Sequence, residues 1–129
     1  MKTNVTLACA GLSLLALGYA GGLAAQFNPD PALDPIKLAP DIYTNEFENE
    51  HARAVGVTIR PGEVTPVHSH PGRVVVFLTP CVPNEDGGDL PTYDVGDAFW
   101  APAETHGGYS YPIMEECRMV EIEIKTVTE

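Results

Sequence analysis

Positive charge is what this chain has least of: seven Lys and Arg face 18 Asp and Glu, a formal charge of −11 in 129 residues. So acidic a surface repels phosphate backbones and anionic lipid heads, so no nucleic-acid partner is expected and solubility is the plain reason for the charge. Helical periodicity is also missing. No window after residue 25 keeps apolar residues at spacings of three and four, which argues against amphipathic helices. There is no internal repeat, no low-complexity block, no glycine-rich phosphate loop, no Ser-His-Asp order and no carboxylate pair at a catalytic spacing. Cysteine is rare: Cys9 lies in the first segment, and only Cys81 and Cys117 follow it. An even count suits a disulfide in an exported protein, but separation along the chain says nothing about distance in space, and the pairing stays open.

The long apolar run stands at the start. After Lys2, residues 5–25 carry no charge and end in small residues, with plausible cuts after Ala20 or Ala25. Residues 1–25 therefore read as a secretory signal. An uncleaved anchor is the alternative, because a run of about twenty apolar residues can span a bilayer. Cys9 comes too early in the apolar core to be a lipid-modified cysteine. Cleavage removes Lys2 and takes the charge from −11 to about −12. It leaves roughly one hundred residues, enough for one domain with a modest core. The expected location is secreted or periplasmic, with no membrane contact after cleavage.

Residues 26–48 hold Pro29, Pro31, Pro35 and Pro40. Each proline lacks a backbone donor and restricts its predecessor, so this segment is expected to be an arm or linker. Residues 49–127 are expected to form the domain, and its pattern is all-β. "HARAVGVTIR" alternates with Val55, Val57 and Ile59 on one face, and "RVVVFL" reads as a strand buried on both faces. "GDAFWAP" is another strand, in which one of Phe99 and Trp100 lines the interior and the other the outer face. The closing "CRMVEIEIKTV" alternates with Val120, Ile122 and Ile124 expected inward and Glu121, Glu123 and Lys125 outward. Met114 and Met119 are expected in strand cores, and Tyr109 and Tyr111 on a solvent-facing turn. Arg73 could pair an anionic ligand, although a surface salt bridge is the simpler expectation among so many acids.

The chemistry concentrates in histidine, of which there are four. His68 and His70 are separated by one residue at the mouth of "RVVVFL", so on a strand they project from one face. Two imidazoles so placed can share a metal ion, and His106 follows 36 residues later as a third ligand. His51, inside "EFENEH", reads as a surface residue.

The spacing around these histidines resembles that of the cupin superfamily. Gly62 is followed by five residues and then His68-x-His70; later Gly96 and Asp97 are followed by four residues, Pro102 and then His106. "RPGEVTPVHSHPGRVVVFLT" and "YDVGDAFWAPAETHGG" look like the two motifs of small single-domain bacterial cupins, and the resemblance covers about residues 49–125. It implies a double-stranded β-helix, the jelly-roll barrel, with a divalent transition metal (Fe, Zn, Mn or Ni) held by His68, His70 and His106 at the barrel mouth. It also implies a small-molecule ligand or substrate and a homodimer. The departures matter: Val74 and Val75 stand where the family has a glutamate ligand, Cys81 and Val82 where it has a glycine, and Glu104 and Ser110 where it has glycine and asparagine. Glu104 lies near enough in sequence to supply the missing acid. Three neutral ligands leave coordination positions open for catalysis, as in the thiol dioxygenases of the wider group, which makes dioxygenase-like chemistry one expectation. A non-catalytic ligand-binding or metal-scavenging module with a degenerate or empty site is the other, and whether the chain is an enzyme stays open.

Overall fold

The computed structural model describes residues 29–125; the leader reading of residues 1–25 lies outside them. The Pro-rich segment opens with two short helical turns, Pro31–Leu33 and Pro35–Leu38 (α1). Asp34 starts the second: its side chain accepts from the Ile36 N–H at 3.0 Å, ahead of a proline that needs no donor at the first helical position. The chain then enters β1 (Tyr43–Glu48), β2 (Ala52–Ile59), β3 (His68–His70), β4 (Arg73–Phe77), β5 (Ala98–Ala101), β6 (Glu104–His106) and β7 (Cys117–Ile124). The part of the expected arm or linker from residue 29 to 48 is thus built into the domain, because β1 pairs with β2 along its length. Its turn is closed by the Asn49 side chain, which accepts from the N–H groups of His51 and Ala52.

Five strands form one antiparallel sheet in the order β1-β2-β7-β4-β5, and β3 and β6 form a second, two-stranded sheet. Between β2 and β3 the chain turns at Pro61-Gly62, where Gly62 has φ +77° and Glu63 N–H bonds back to the Arg60 carbonyl. Among the described residues no helix is long and apolar enough to cross a membrane.

Two apolar clusters fill the interior: Ile42, Tyr43, Val55, Val57 and Ile59, and Val75, Phe77, Cys81, Ala101 and Cys117, with Met119 and Ile113 packed against both. The face of β2 is the expected one. β4 buries Arg73, Val75 and Phe77 and leaves Val74 and Val76 half-buried, so only one of its faces is fully covered. Met114 is exposed, unlike the expected core role, because it sits in the loop before β7.

In β7 the expected phase is reversed. Cys117 is buried and disulfide-bonded to Cys81 (Cα–Cα 5.2 Å). With Cys117 inside, the two-residue period sends Glu121 and Glu123 inward as well, and Ile124 outward. Two buried carboxylates are tolerable only because cations meet them. Register sets Arg53 of β2 and Arg73 of β4 on either side of Glu123. Arg73, expected in a surface salt bridge, is accordingly only 3% exposed.

Candidate metal centre and cavity

The β3–β6 pair builds the site. His68 lies directly opposite His106, and His70 opposite Glu104, so all four point to one side of the small sheet. Ser69 and Thr105, on the other side, join hydroxyls at 2.7 Å. Each of the three histidines offers a ring nitrogen within 4.8 Å of the others, a spacing that one ion could bridge. His68 and His70 are fully buried and His106 half-buried. The residues singled out from the sequence therefore converge, while His51 stays on the surface beside Glu50.

Hydrogen bonds behind the rings decide which nitrogens are presented. His68 Nδ1 lies 2.6 Å from the Pro66 carbonyl, and His70 Nδ1 lies 2.7 Å from Glu123 Oε1. Both oxygens only accept, so each Nδ1 carries the proton and each Nε2 is the unprotonated nitrogen. His106 Nδ1 lies 3.4 Å from the Tyr109 hydroxyl. The Nε2 atoms of His70 and His106 are buried with no hydrogen-bond partner among the described residues. Orphaned acceptors backed by Nδ1 partners are what a metal-ligating histidine set requires, so the residues present fit a divalent ion. Burial, then neighbouring histidines, lowers the pKa of His106 to about 4; burial also lowers that of His68. Both are neutral at pH 7 and need lose no proton to bind a cation. Gly107 (φ +103°) completes the turn, since a Cβ there would collide with the Pro66 carbonyl that orients His68.

Three contributors went unrecognised in the sequence: Tyr43, Glu121 and Glu123. Tyr43, from the Pro-rich segment's strand, places its hydroxyl 3.2 Å from His68 Nε2 and is 3% exposed. Burial, with the Glu121 charge next, raises its pKa, so the hydroxyl donates to that nitrogen. Glu121 and Glu123 were concealed by the clean alternation of β7. The available signal was Cys117, of a residue type most often buried, which shares their phase.

A chain of charges runs behind the site. Asp34 meets Arg53 at 2.8 Å, Arg53 meets Glu123 at 2.7 Å, and Glu123 holds His70. His70 Nδ1 is 3.4 Å from Glu121 Oε2; Glu121 Oε1 is 3.2 Å from Arg73 Nε, and Arg73 Nη2 is 2.9 Å from Glu104 Oε1. Glu104, near enough in sequence to supply the missing family acid, is thus engaged by Arg73. Burial opposes ionisation of Glu123, but hydrogen bonds from His70 and Arg53 hold its carboxyl below the ordinary value.

Beside His106 lies a cavity of about 370 Å³. Tyr43, Arg73, His106 and Glu121 line one end, and Phe77, Tyr93, Phe99, Ile113 and Met119 the other. Phe77 and Tyr93 stack at 4.1 Å between ring centroids, with Phe99 beside them. Phe99 is therefore the inward partner of the Phe99-Trp100 pair, and Trp100, 58% exposed, faces outward over Gly72. Tyr111 also lines the cavity, although a solvent-facing turn was expected for it.

A five-stranded antiparallel sheet and a two-stranded sheet, the smaller carrying a His-x-His strand beside a third histidine, make the all-β architecture. The chain is similar to the crystal structure of a cupin domain from Bordetella pertussis Tohama I, at 27% identity over 66% of this chain and 93% of that one, with a TM-score of 0.52. A second similar structure is an RmlC-like cupin family protein with a double-stranded β-helix fold from Methanocaldococcus jannaschii, at 10% identity over 65% of this chain and 79% of that one, with a TM-score of 0.49. No protein-family profile matches the chain, and no curated protein is significantly similar to it. The chain belongs to the cupin superfamily, with its all-β fold.

Proposed function

We propose that this cupin holds one divalent transition metal through the Nε2 atoms of His68, His70 and His106 and binds a small organic molecule in the adjoining cavity. The observation that carries the reading is the pair of buried, partnerless Nε2 atoms on His70 and His106. A bound metal would supply Lewis-acid or oxygen-activating chemistry beside the His106 end of the cavity. Around it, His70 is oriented by Glu123, His68 by the Pro66 carbonyl, and the apolar wall excludes water. The protein is exported, a reading supported by the apolar start and by the Cys81–Cys117 bond, which suits an oxidising compartment.

It also pairs with a second copy through the outer face of the large sheet. There Phe47, Ala54, Ile122, Val74 and Trp100 stand in one cross-strand row over all five strands, with Phe47 56% and Trp100 58% exposed. So continuous an apolar row, uncovered in the monomer, suits a self-complementary interface.

Native mass spectrometry with elemental analysis tests both parts. About one metal ion per chain and two chains per particle are expected. The His68→Ala/His70→Ala/His106→Ala variant is expected to lose the metal and remain paired. Equal, sub-stoichiometric metal in both proteins would defeat the metal assignment, and a monomeric wild type would defeat the pairing.

One contact favours a second reading, a metal-free ligand-binding module: the Tyr43 hydroxyl occupies the His68 Nε2 lone pair. Metal must displace that bond. Tyr43→Phe is therefore expected to tighten zinc binding about fivefold, the equivalent of one net hydrogen bond of about 1 kcal/mol. Competition titration against a chelating dye reads the change, and unchanged affinity would mean the Tyr43 contact does not guard the site.

A further inference from the structure

We infer that Glu121 sets the charge of the ion this centre takes: its carboxylate closes a buried ion-pair chain whose two excess negative charges match a dication on the three histidines. The inference rests on the reading of His68, His70 and His106 as metal ligands and adds what selects the ion they hold. Glu121 Oε2 is buried and has no hydrogen-bond partner among the described residues. It lies 3.4 Å from His70 Nδ1, whose single proton goes to Glu123 at 2.7 Å. Arg73 Nε faces the other oxygen, Oε1, at 3.2 Å and off the line of a hydrogen bond. A buried anion so poorly met is costly unless a cation stands near. The far side of the same ring offers one a place, because His70 Nε2 is buried there without a partner.

The balance of charge points the same way. Asp34, Glu123, Glu121 and Glu104 stand in one chain with Arg53 and Arg73, and the His70 ring lies between the two carboxylates of β7. Four carboxylates against two guanidiniums leave an excess of two negative charges. Three imidazole ligands add none, so a dication brings the whole group to neutrality and a monocation leaves it one charge short. Across the width of one imidazole ring, in a buried setting, that excess acts on the ion without touching it. Register explains the placement. Glu121 is the cross-strand partner of Val75, so it reaches the interior from the strand beside the position where a ligand carboxylate is lacking.

Zinc and copper are the probes, each loaded into the full-length protein. Removing one negative charge costs a dication twice what it costs a monocation. Glu121→Gln is therefore expected to weaken zinc binding about a hundredfold in chelator competition. It is also expected to raise the Cu(II)/Cu(I) potential by about 59 mV, a tenfold shift toward Cu(I). Glu121→Asp keeps the charge and is expected to recover most of both. Glu104→Gln removes the same charge from the outer end of the chain, where the side chain is 40% exposed. It is expected to move the potential in the same direction, by about threefold in the ratio. A wild-type potential retained in both Gln variants would overturn the inference. So would an Asp variant that behaves like Gln, because a lost ring contact and not a lost charge would then explain the effect. Should Glu121→Gln fail to fold, an unmoved potential in Glu104→Gln overturns it alone. A wild type that takes up neither metal removes the three-histidine reading and this inference with it; metal uptake indifferent to these charges removes only this one.

Discussion

Glu123→Ala is expected to destabilise the protein by about 3–5 kcal/mol, the cost of breaking a buried ion pair by removing one partner. The residue is 2% exposed and accepts from two donors, Arg53 Nε at 2.7 Å and His70 Nδ1 at 2.7 Å. Its loss leaves a largely buried guanidinium with Asp34 as its remaining partner, and a buried N–H with none at bonding distance. The same change frees the His70 ring to turn, and loss of such an orienting carboxylate typically weakens metal binding 10–100-fold. Urea unfolding and a zinc competition titration read the two effects. Glu123→Gln, which keeps an oxygen for His70 but sets an amide against Arg53, is expected to recover part of the affinity and little of the stability. The effect also carries a pH signature. The folded carboxyl titrates below its ordinary 4.5, so the unfolded chain takes up a proton first as pH falls. The stability contributed is complete above that value and is lost as pH drops through the folded pKa, so wild type and variant converge in acid. A cost under about 1 kcal/mol near neutral pH would show that Arg53 and His70 find water instead.

Removing the Cys81–Cys117 bond is the second large effect. The two residues are 36 apart in sequence, and closing a loop of that size restricts the unfolded chain by about 4 kcal/mol on the chain-entropy model. Cys81→Ser/Cys117→Ser is expected to lose about that much stability by urea unfolding. Reductant is expected to lower the wild-type midpoint and leave the variant unmoved. The bond has a second consequence. Cys117 begins the strand that carries Glu121 and Glu123, and both cysteines line the cavity. Its loss loosens the floor against which Phe77 and Met119 pack. A variant as stable as wild type would mean that β7 is held by its ladders to β2 and β4 alone.

Much of this was legible in the sequence. The period-two patterns of β2 and β4, the turn at Pro61-Gly62 and the His-x-His pair are local features, and strand sterics convert them directly into faces and turns. The similarity of spacing around Gly62, His68, His70 and His106 carried the fold class. The inner face of β7 was not legible. "RMVEIEI" alternates equally well in either phase, and hydrophobicity alone selects the wrong one. What reverses it is non-local: Arg53, 70 residues away, and Arg73 on a third strand neutralise the carboxylates and make their burial tolerable.

The Pro-rich segment follows the same division. Its prolines correctly bar a long helix, but they say nothing about residues 43–48, whose place as a fifth strand depends on the exposed edge that β2 offers. Through that pairing Tyr43 reaches His68 across 25 residues. By itself, then, the sequence determined which side chains could bind an ion and that strands would carry them, since residue type and a two-residue period are properties of the local chain. Only the tertiary structure decided which oxygens stand behind those rings, which carboxylate is left without a donor, and what kind of surface faces them, because these depend on contacts between strands far apart in sequence.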